Sequence, residues 1–168
     1  MGVTFAWMRL FDQKGMTPEQ IAAHNRVYAG HCLMHDVVNA WMWTYAWNYP
    51  PECALLAWGM DDGRVLFWPF WNNGDVVTCN QPDVKVSVWT LPDRVLLCAF
   101  NYSKDKTADC TVKVDLKKMG VVLPAGAKAA DIEKKDAAIT ADAAKGECQF
   151  SVGKRDYVLV GIAVANPE

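Results

Sequence analysis

The sequence predicts a mainly β fold: an antiparallel β-sandwich preceded by a short helical, Trp-rich segment, α+β overall. Two observations support this prediction. The segment from Val84 to Leu116 contains three apolar runs separated by turns, and the composition changes near Gly63. Trp, Met, His and helix signals precede Gly63, whereas short strand-like runs at regular spacing follow it, as is typical of a sandwich. We therefore divide the chain into a helical Trp-rich segment, 1–62, and a sandwich domain, 63–168.

The three central runs differ in how their apolar residues alternate. In 84–89, Val alternates with Lys, Ser and Trp, which predicts a strand with one buried and one wet face. Residues 95–100 are apolar without a polar gap, which indicates a strand covered on both faces. In 109–116, Cys, Val and Leu alternate with Asp, Thr and Lys. Because short turns separate the runs, we expect an antiparallel meander.

The clearest helix signal lies in the N-terminal third. Thr17 can serve as the N-cap, Pro18 fits the first helical position, and Gln20 stands where a capping box needs Glu or Gln. We expect a helix from Pro18 to about Ala29, with Gly30 as a candidate stop.

The remaining elements are predicted from shorter patterns. Residues 32–34 fit a short buried strand, 37–47 fit either helix or loop, and 51–60 fit a short helix with Pro at its start. Further strands are expected near residues 65–68, 127–132, 148–152 and 157–163.

Composition and charge exclude several classes of protein. Apolar residues make up 52% of the chain and the net charge is −2, which argues against global disorder and against a nucleic-acid partner. No apolar run is long enough to span a bilayer, and the first residues lack the features of a signal peptide. The compartment stays open. The six cysteines form no CxxC pair, and we favour reduced thiols over disulfides.

The three histidines suggest a metal site, which we consider and set aside. His24, His31 and His35 would share one stripe of an unbroken helix, with Asp36 beside it, and such a set is compatible with Zn²⁺. Ligands along a single helix rarely close a tetrahedron alone, and Gly30 would interrupt this one. We therefore predict no metal and no cofactor, and interpret these residues as ordinary histidines, some of them hydrogen-bonded in a core.

Seven of the eight tryptophans lie between Trp7 and Trp71. They are either core residues or a flat apolar surface for a ligand or a partner. The dipeptide His35-Asp36 ends a short apolar run, where a barrel strand would present polar groups to a ligand. The same pair is also a common way to satisfy buried polar groups. The sequence has no GxGxxG, P-loop, GxSxG or HExxH motif, and no catalytic residue is predicted.

Several segments together resemble the C-terminal region of glycoside-hydrolase-like proteins, in which a (β/α) barrel is followed by an antiparallel β-sandwich. The sandwich segments are Phe67 to Asn73, Val84 to Trp89, Arg94 to Asn101, the Asn101-Tyr102-Ser103 turn, Thr111 to Gly120, Asp131 to Glu133 and Tyr157 to Val160. Upstream, Leu33 to Asp36 resembles a late barrel strand, and Pro51 to Trp71 resembles the last helix and the crossover into the sandwich.

The resemblance implies a carbohydrate context and an accessory role. A complete barrel needs about 250 residues, so the chain is either a fragment or a truncated relative, with the catalytic acid and nucleophile mostly upstream. Alone it is expected to be non-catalytic; within a larger protein the whole would be a glycoside hydrolase. Its partners would be carbohydrate and a missing catalytic barrel or a second chain.

The residues expected to contact sugar are His35, Asp36, Trp41 and Trp43. Aromatic faces stack on apolar sugar faces, and His and Asp bind hydroxyl groups. Two alternatives stay open: a stand-alone carbohydrate-binding module, and a structural or interaction domain that uses its Trp cluster as an interface.

Overall fold

The computed structural model of the chain describes residues 5–7, 15–40, 50–133 and 138–163. A five-stranded antiparallel sheet forms the middle layer, with a four-stranded antiparallel sheet on one face and two helices on the other. This architecture confirms the predicted mainly β fold. In chain order the elements are β1 (Phe5–Trp7), α1 (Pro18–Met34), β2 (Val38–Ala40), α2 (Pro50–Trp58), β3 (Leu66–Trp68), β4 (Val77–Cys79), β5 (Val84–Leu91), β6 (Arg94–Asn101), β7 (Ala108–Val114), β8 (Lys128–Asp131), β9 (Thr140–Asp142), a 3₁₀ turn (Ala143–Lys145), β10 (Glu147–Val152) and β11 (Tyr157–Ala163).

The chain passes from the middle sheet to the outer sheet after β6. The middle sheet has the order β3-β5-β6-β11-β8, and the outer sheet has the order β4-β7-β10-β9. The expected meander is therefore wrong at its third strand, because β7 belongs to the outer sheet. Asn101 marks the crossing: its Nδ2–H donates to the carbonyl oxygens of Lys106 (3.0 Å) and Val152 (3.2 Å), and its Oδ1 accepts from the Ser103 N–H (2.9 Å).

The unbroken apolar run of β6 is buried on both faces, as predicted. Val95, Leu97 and Ala99 pack against the outer sheet. Leu96, Cys98 and Phe100 pack against the helices, and none of the six is more than 1% exposed. A strand covered on both faces has no position for a polar side chain, which explains the absence of alternation.

The structure corrects the prediction that one face of β5 is exposed to solvent. Ser87 is 0% and Trp89 is 1% exposed, because α1 and the segment after β3 cover this face; Lys85 remains exposed. Alternation in sequence distinguishes the two faces of a strand, but a helix from elsewhere in the chain can bury the polar one.

Helix α1 starts as predicted and ends later than predicted. Thr17 and Gln20 form the capping box, and the helix continues through Gly30 to Met34. A Cβ atom at Gly30 would overlap the ring of Phe100 and approach Tyr157, so this glycine permits close helix–sheet contact and is not a stop. The strands expected at Cys32–Met34 and at Leu33–Asp36 are therefore wrong, because the burial of Leu33 and Met34 on the sheet favours helix there.

A cluster of polar contacts ties α1 to the middle sheet. The guanidinium of Arg26 donates to Asp156 Oδ1 (Nε, 2.7 Å), to a carboxylate oxygen of Glu133 and to the Tyr157 carbonyl oxygen (Nη2, 3.0 Å). Its Cζ lies 4.3 Å from the centroid of the Tyr157 ring. These contacts join residues more than 100 positions apart and orient the helix on the sheet.

Strands β1 and β2 pair in parallel, with Phe5 opposite Val38 and Trp7 opposite Ala40. Since α1 connects them, β1-α1-β2 is a βαβ unit. The predicted second helix is present as α2, and its Trp58 packs on the same face of the middle sheet as α1. No helix in the described part of the chain has the length and apolar character needed to cross a membrane. The division at residues 62 and 63 stays a prediction.

Candidate carbohydrate-contact site

The C-terminus of α1 places His35 and Asp36 beside the middle sheet. The Val37 N–H donates to the Cys32 carbonyl oxygen (2.9 Å) and the Asp36 N–H to that of Leu33 (3.2 Å), which is a Schellman motif. Asp36 occupies the left-handed position of this motif, with φ of 52°, where glycine is usual. An Asp tolerates this conformation better than most residues, but its presence there calls for a compensating contact.

Two buried side chains of β5 supply such contacts. The indole Nε1–H of Trp89 donates to Asp36 Oδ1 (3.0 Å). The Ser87 Oγ–H donates to the Met34 carbonyl oxygen (2.8 Å), and Ser87 Oγ accepts from the Phe70 N–H (3.1 Å). Strand β5 therefore fastens both the end of α1 and the segment that follows β3, which brings these two segments together.

Aromatic rings gather where the two segments meet. The histidine–aromatic cluster consists of His35, Asp36, Phe67, Phe70, Trp71 and Trp89. The rings of His35 and Trp71 are stacked, with centroids 5.0 Å apart and planes at 24°. Phe70 stands nearly perpendicular to both, 5.5 Å from His35 and 5.0 Å from Trp71. Phe70 therefore lies beside the His35–Trp71 stack. It does not cover the face of Trp71 that points away from His35, because its centroid would then be much farther from His35.

The outer part of the cluster faces solvent. Trp71 is 56% exposed and His35 is exposed, whereas Trp89 below them is 1% exposed. An exposed indole beside an imidazole offers one flat apolar surface and one hydrogen-bonding group, which is the combination that suits a sugar ring. The sequence prediction missed Trp71 because its segment, Phe67 to Asn73, contains four aromatic residues and no signal that separates the exposed one from the packed ones.

The structure brings together two of the four predicted contact residues and describes no position for the other two. His35 and Asp36 are adjacent in the histidine–aromatic cluster, although Asp36 is engaged by Trp89. Trp41 and Trp43 lie outside the described residues. In sequence, Trp41 directly follows Ala40, the last residue of β2, and Trp43 comes two residues later.

The histidines do not form a ligand set. His31 lies against Phe100, with ring centroids 4.8 Å apart, and against Tyr102, whereas His35 stacks on Trp71. Partial burial, and then the neighbouring His35, lower the pKa of His31. Across the described ranges, no group of three or more His, Cys, Asp or Glu residues is placed to hold a metal ion.

The described part of the cluster contains one carboxylate, Asp36. Glycoside hydrolysis by the usual mechanisms needs two carboxyl groups on either side of the scissile bond. Two open grooves elsewhere, with volumes of about 790 and 530 Å³, share no residue with the cluster. Val, Leu, Ala and Gly dominate their linings, which also include Asp115, Lys117, Asp142 and Lys145.

Comparison with known proteins gives limited matches. No known protein family matches the sequence, and no curated protein does. Among solved structures, the chain is similar to a GH27 β-L-arabinopyranosidase from Geobacillus stearothermophilus in complex with arabinose, at 25% identity, a TM-score of 0.36, and coverage of 51% of this chain and 18% of that one.

Two further similar structures are also glycoside hydrolases. One is the family 30 subfamily 8 xylanase Xyn30A from Clostridium acetobutylicum, at 12% identity and a TM-score of 0.49, covering 96% of this chain and 42% of that one. The other is the noncanonic maltogenic α-amylase AmyB from Thermotoga neapolitana, at 12% identity and a TM-score of 0.46, covering 97% and 42%. The chain thus has a partial structural similarity to glycoside hydrolases and spans less than half the length of each.

Proposed function

We propose that this chain is a non-catalytic C-terminal accessory module of a glycoside-hydrolase-like protein, which stabilises a (β/α) barrel and borders a carbohydrate cleft. The observation that carries the proposal is the β1-α1-β2 unit. It is a parallel strand pair with its connecting helix, and this helix packs on the face of the middle sheet that points away from the outer sheet. The repeating unit of a (β/α) barrel has this same composition.

The parallel pair supports a role in a larger sheet. Two short strands alone are marginally stable in water, and parallel sheets normally occur with both faces covered. In the described residues, β1 and β2 pair only with each other, which leaves one edge of each strand for a further neighbour. A barrel would supply both neighbours, and α1 and α2 would then lie between the barrel and the sandwich.

This arrangement assigns different positions to the four expected sugar contacts. Barrel enzymes bind substrate at the carboxyl ends of their strands. Trp41 and Trp43 follow the carboxyl end of β2, so they would border the cleft. His35 and Asp36 precede its amino end and would contact sugar only at the separate surface that they form with Trp71.

Hydrogen exchange tests the barrel part of the proposal on the isolated chain. We expect the backbone amides of β1 and β2 to exchange about 100-fold or more faster than those of β6, because their strand pair lacks neighbours while β6 is central in a complete sheet. Equal protection in a monomer would contradict the proposal, since the parallel pair would then be complete without a barrel. Equal protection in a dimer, detected by sedimentation, would favour the interaction-domain alternative.

Tryptophan fluorescence tests the carbohydrate part. Acrylamide quenching is measured with and without soluble xylan, galactomannan and starch, for the unmodified chain and for Trp71→Ala. The control is Trp68→Phe, because Trp68 is half-buried and its Nε1–H donates to Thr90 Oγ1 (3.0 Å). Protection by a glycan that Trp71→Ala abolishes and Trp68→Phe retains would assign sugar binding to the histidine–aromatic cluster and favour the stand-alone binding module. Protection that survives Trp71→Ala would point to Trp41 and Trp43, as the accessory role requires.

Absence of any protection would contradict carbohydrate contact by this chain. Hydrolysis of aryl glycosides by the chain would contradict the non-catalytic role.

A further inference from the structure

The sequence contains a single Asn-Gly step, Asn73-Gly74, in the segment 69–76 that connects β3 to β4. Because glycine has no side chain to hinder its own backbone nitrogen, this nitrogen readily reaches the carboxamide carbon of a preceding Asn in an open chain. A C–N bond then forms, ammonia leaves with the displaced proton, and water opens the resulting succinimide to an aspartyl or an isoaspartyl residue. The sequence is thus prone to deamidation here, and the fold decides when the reaction occurs.

The structure holds the Asn73 side chain in a position that suits only a carboxamide. Asn73 is 4% exposed, and its Nδ2 donates to the carbonyl oxygens of Trp68 (3.1 Å) and Val86 (2.9 Å). Since both neighbours are acceptors, the position requires two N–H donors on one side-chain atom. The side chain therefore joins the end of β3 to β5 at a level where the backbone pairing of these two strands has ended.

The backbone of Asn73 organises the same connection. Its carbonyl oxygen accepts from the N–H groups of Val76 (2.9 Å) and Val77 (2.8 Å), at the start of β4. Phe70 and Trp71 of the histidine–aromatic cluster lie between β3 and Asn73 in the chain. One residue thus attaches the segment that carries these two rings both to β5 and to β4.

This geometry opposes deamidation in the folded protein. Two hydrogen bonds hold the carboxamide nitrogen, which is the leaving group, and burial keeps base and water away from it. Gly74 is exposed, but its nitrogen can attack only after the carboxamide of Asn73 has left its position. The rate of deamidation should therefore follow the population of molecules in which this segment is open.

The product of the reaction does not fit the position that Asn73 leaves. A carboxylate there has acceptors only, and it would face the carbonyl oxygens of Trp68 and Val86. Two hydrogen bonds would be replaced by repulsion between buried oxygens. An isoaspartyl linkage would also lengthen the backbone and displace the carbonyl oxygen that Val76 and Val77 use.

We propose that Asn73 is a site of spontaneous deamidation, that its reaction is coupled to opening of segment 69–76, and that the product loosens Phe70 and Trp71. These rings would lose one of two attachments of their segment to β5, the other being the hydrogen bond from the Phe70 N–H to Ser87 Oγ. Each opening thus risks an irreversible change in the exposed surface of the histidine–aromatic cluster. The inference holds whether or not this surface binds sugar.

Peptide mapping of the full, unmodified chain tests the coupling. The protein is incubated at pH 8, either folded or in guanidinium chloride, and the Asn, Asp and isoaspartyl forms of its peptides are separated and quantified. We expect deamidation of Asn73 to be at least about tenfold slower in the folded chain. Asn72 is an internal reference, because it is exposed in the same segment but is followed by Asn, and it should react slowly in both states. Equal rates for Asn73 in the two states would overturn the proposal.

Gly74→Ala separates the reaction from the structural role of Asn73. No atom lies within 4 Å of a Cβ built at Gly74, so this variant should keep the fold while the added methyl group hinders the attack. Deamidation in guanidinium chloride should fall about tenfold. An unchanged rate would show that the Asn73-Gly74 step is not the reactive one.

Asn73→Asp tests the consequence of the reaction. In this variant the amides of Val76 and Val77 should exchange with deuterium about tenfold or more faster than in the unmodified chain, while those of β6 stay protected. Asn72→Asp is the matched control, because it adds the same charge at an exposed position and should leave these exchange rates unchanged. Loss of folding in Asn73→Asp alone would be the stronger form of the expected result. Unchanged exchange in a folded Asn73→Asp variant would contradict the proposed loosening.

Discussion

The two faces of the middle sheet are built differently. The face toward the outer sheet is dominated by aliphatic side chains, such as Val88, Val95 and Leu97, in a continuous apolar core. The face toward the helices carries aromatic rings and a series of directed polar contacts: Ser87 to Met34, Trp89 to Asp36 and Arg26 to Glu133 and Asp156.

The difference teaches how one sheet serves two purposes. Aliphatic packing is strong and non-directional. The face toward the outer sheet, called the inner face below, therefore contributes most to stability and does not depend on the exact orientation of each side chain. Hydrogen bonds contribute about 1 kcal/mol each but require fixed geometry. The face of the middle sheet toward the helices therefore fixes where α1 and its terminal residues His35 and Asp36 lie. The following substitutions test this contrast in order of decreasing effect.

Truncation of the inner face should have the largest effect. Leu97→Ala removes a side chain that is 0% exposed and should lower the free energy of unfolding by about 3 kcal/mol, through lost burial and a cavity. Urea unfolding followed by far-UV circular dichroism measures it. Leu66→Ala is the control, because Leu66 is 57% exposed and its truncation should leave the midpoint unchanged. Equal midpoints for the two variants would contradict the inner-face core.

Loss of Arg26 should be the largest effect on the helix side. Arg26→Ala leaves Glu133, whose side chain is 6% exposed, without its cation, and should lower stability by about 2 kcal/mol after allowance for partial solvent exposure of Arg26. Urea unfolding of this variant is compared with that of Arg64→Ala, which removes an exposed ion pair with Asp62 and should have no measurable effect. Restoration of part of the loss by adding Glu133→Gln would identify the buried charge as the cause; no restoration would exclude it.

A methyl group at Gly30 should reverse the usual ranking of helix residues. Ala is ordinarily preferred over Gly inside a helix by up to about 1 kcal/mol. At Gly30 the added Cβ would overlap the Phe100 ring, and we expect Gly30→Ala to destabilise by about 1–2 kcal/mol. Thermal unfolding measures the sign. Gly63→Ala is the matched control, because nothing lies within 4 Å of a Cβ built there. A stabilised Gly30→Ala variant would show that α1 does not approach the sheet this closely.

Asp36 combines an unfavourable backbone conformation with a favourable contact. Asp36→Ala should lose about 1 kcal/mol, because the buried Nε1–H of Trp89 loses its acceptor. Asp36→Asn keeps an acceptor oxygen and should be nearly neutral, and Asp36→Gly should fall between them because it relieves the left-handed backbone. Thermal unfolding ranks the three. If Asp36→Gly were less stable than Asp36→Ala, which loses the same contact, relief of the left-handed backbone would not stabilise this position.

The smallest expected effect is a pH dependence through His31. Burial, with the adjacent His35, places the pKa of His31 below its ordinary value of 6.5, so the unfolded chain binds this proton more readily than the folded one. The resulting contribution is complete above about pH 6.5 and is lost as the pH falls through the lowered pKa. His31→Gln should flatten this part of the stability profile between pH 7 and 5, measured by urea midpoints, while His24→Gln, an exposed change on α1, serves as control. An unchanged slope in His31→Gln would assign it to other groups.

The elements that local chemistry defines were predictable from sequence. The capping box at Thr17 and Gln20 depends on residues three positions apart, and the start of α1 follows from it. The double burial of β6 follows from its own composition. In each case the interactions that decide the structure are within one short segment, so the sequence pattern contains them.

The candidate site could be predicted only in part, because distant segments create it. Gly30 indicates a helix stop by its intrinsic preference, and only the position of Phe100, seventy residues later, explains why the helix continues. Ser87 and Trp89 alternate like residues of a wet face until α1 covers them. His35 and Asp36 were identified as a pair, whereas Trp71 became their neighbour through contacts of β5 that no local pattern reveals.

The attachment of Arg26 has a consequence for the order of events during synthesis. Its partners Glu133, Asp156 and Tyr157 are made more than 100 residues later, and α1 rests on a strand, β11, that follows all the others. A ribosome therefore releases α1 well before the surface that receives it, on β5, β6 and β11, is complete. The apolar side of α1 therefore stays only partly covered until β11 has been synthesised, which makes this segment a natural substrate for chaperones that shield nascent chains.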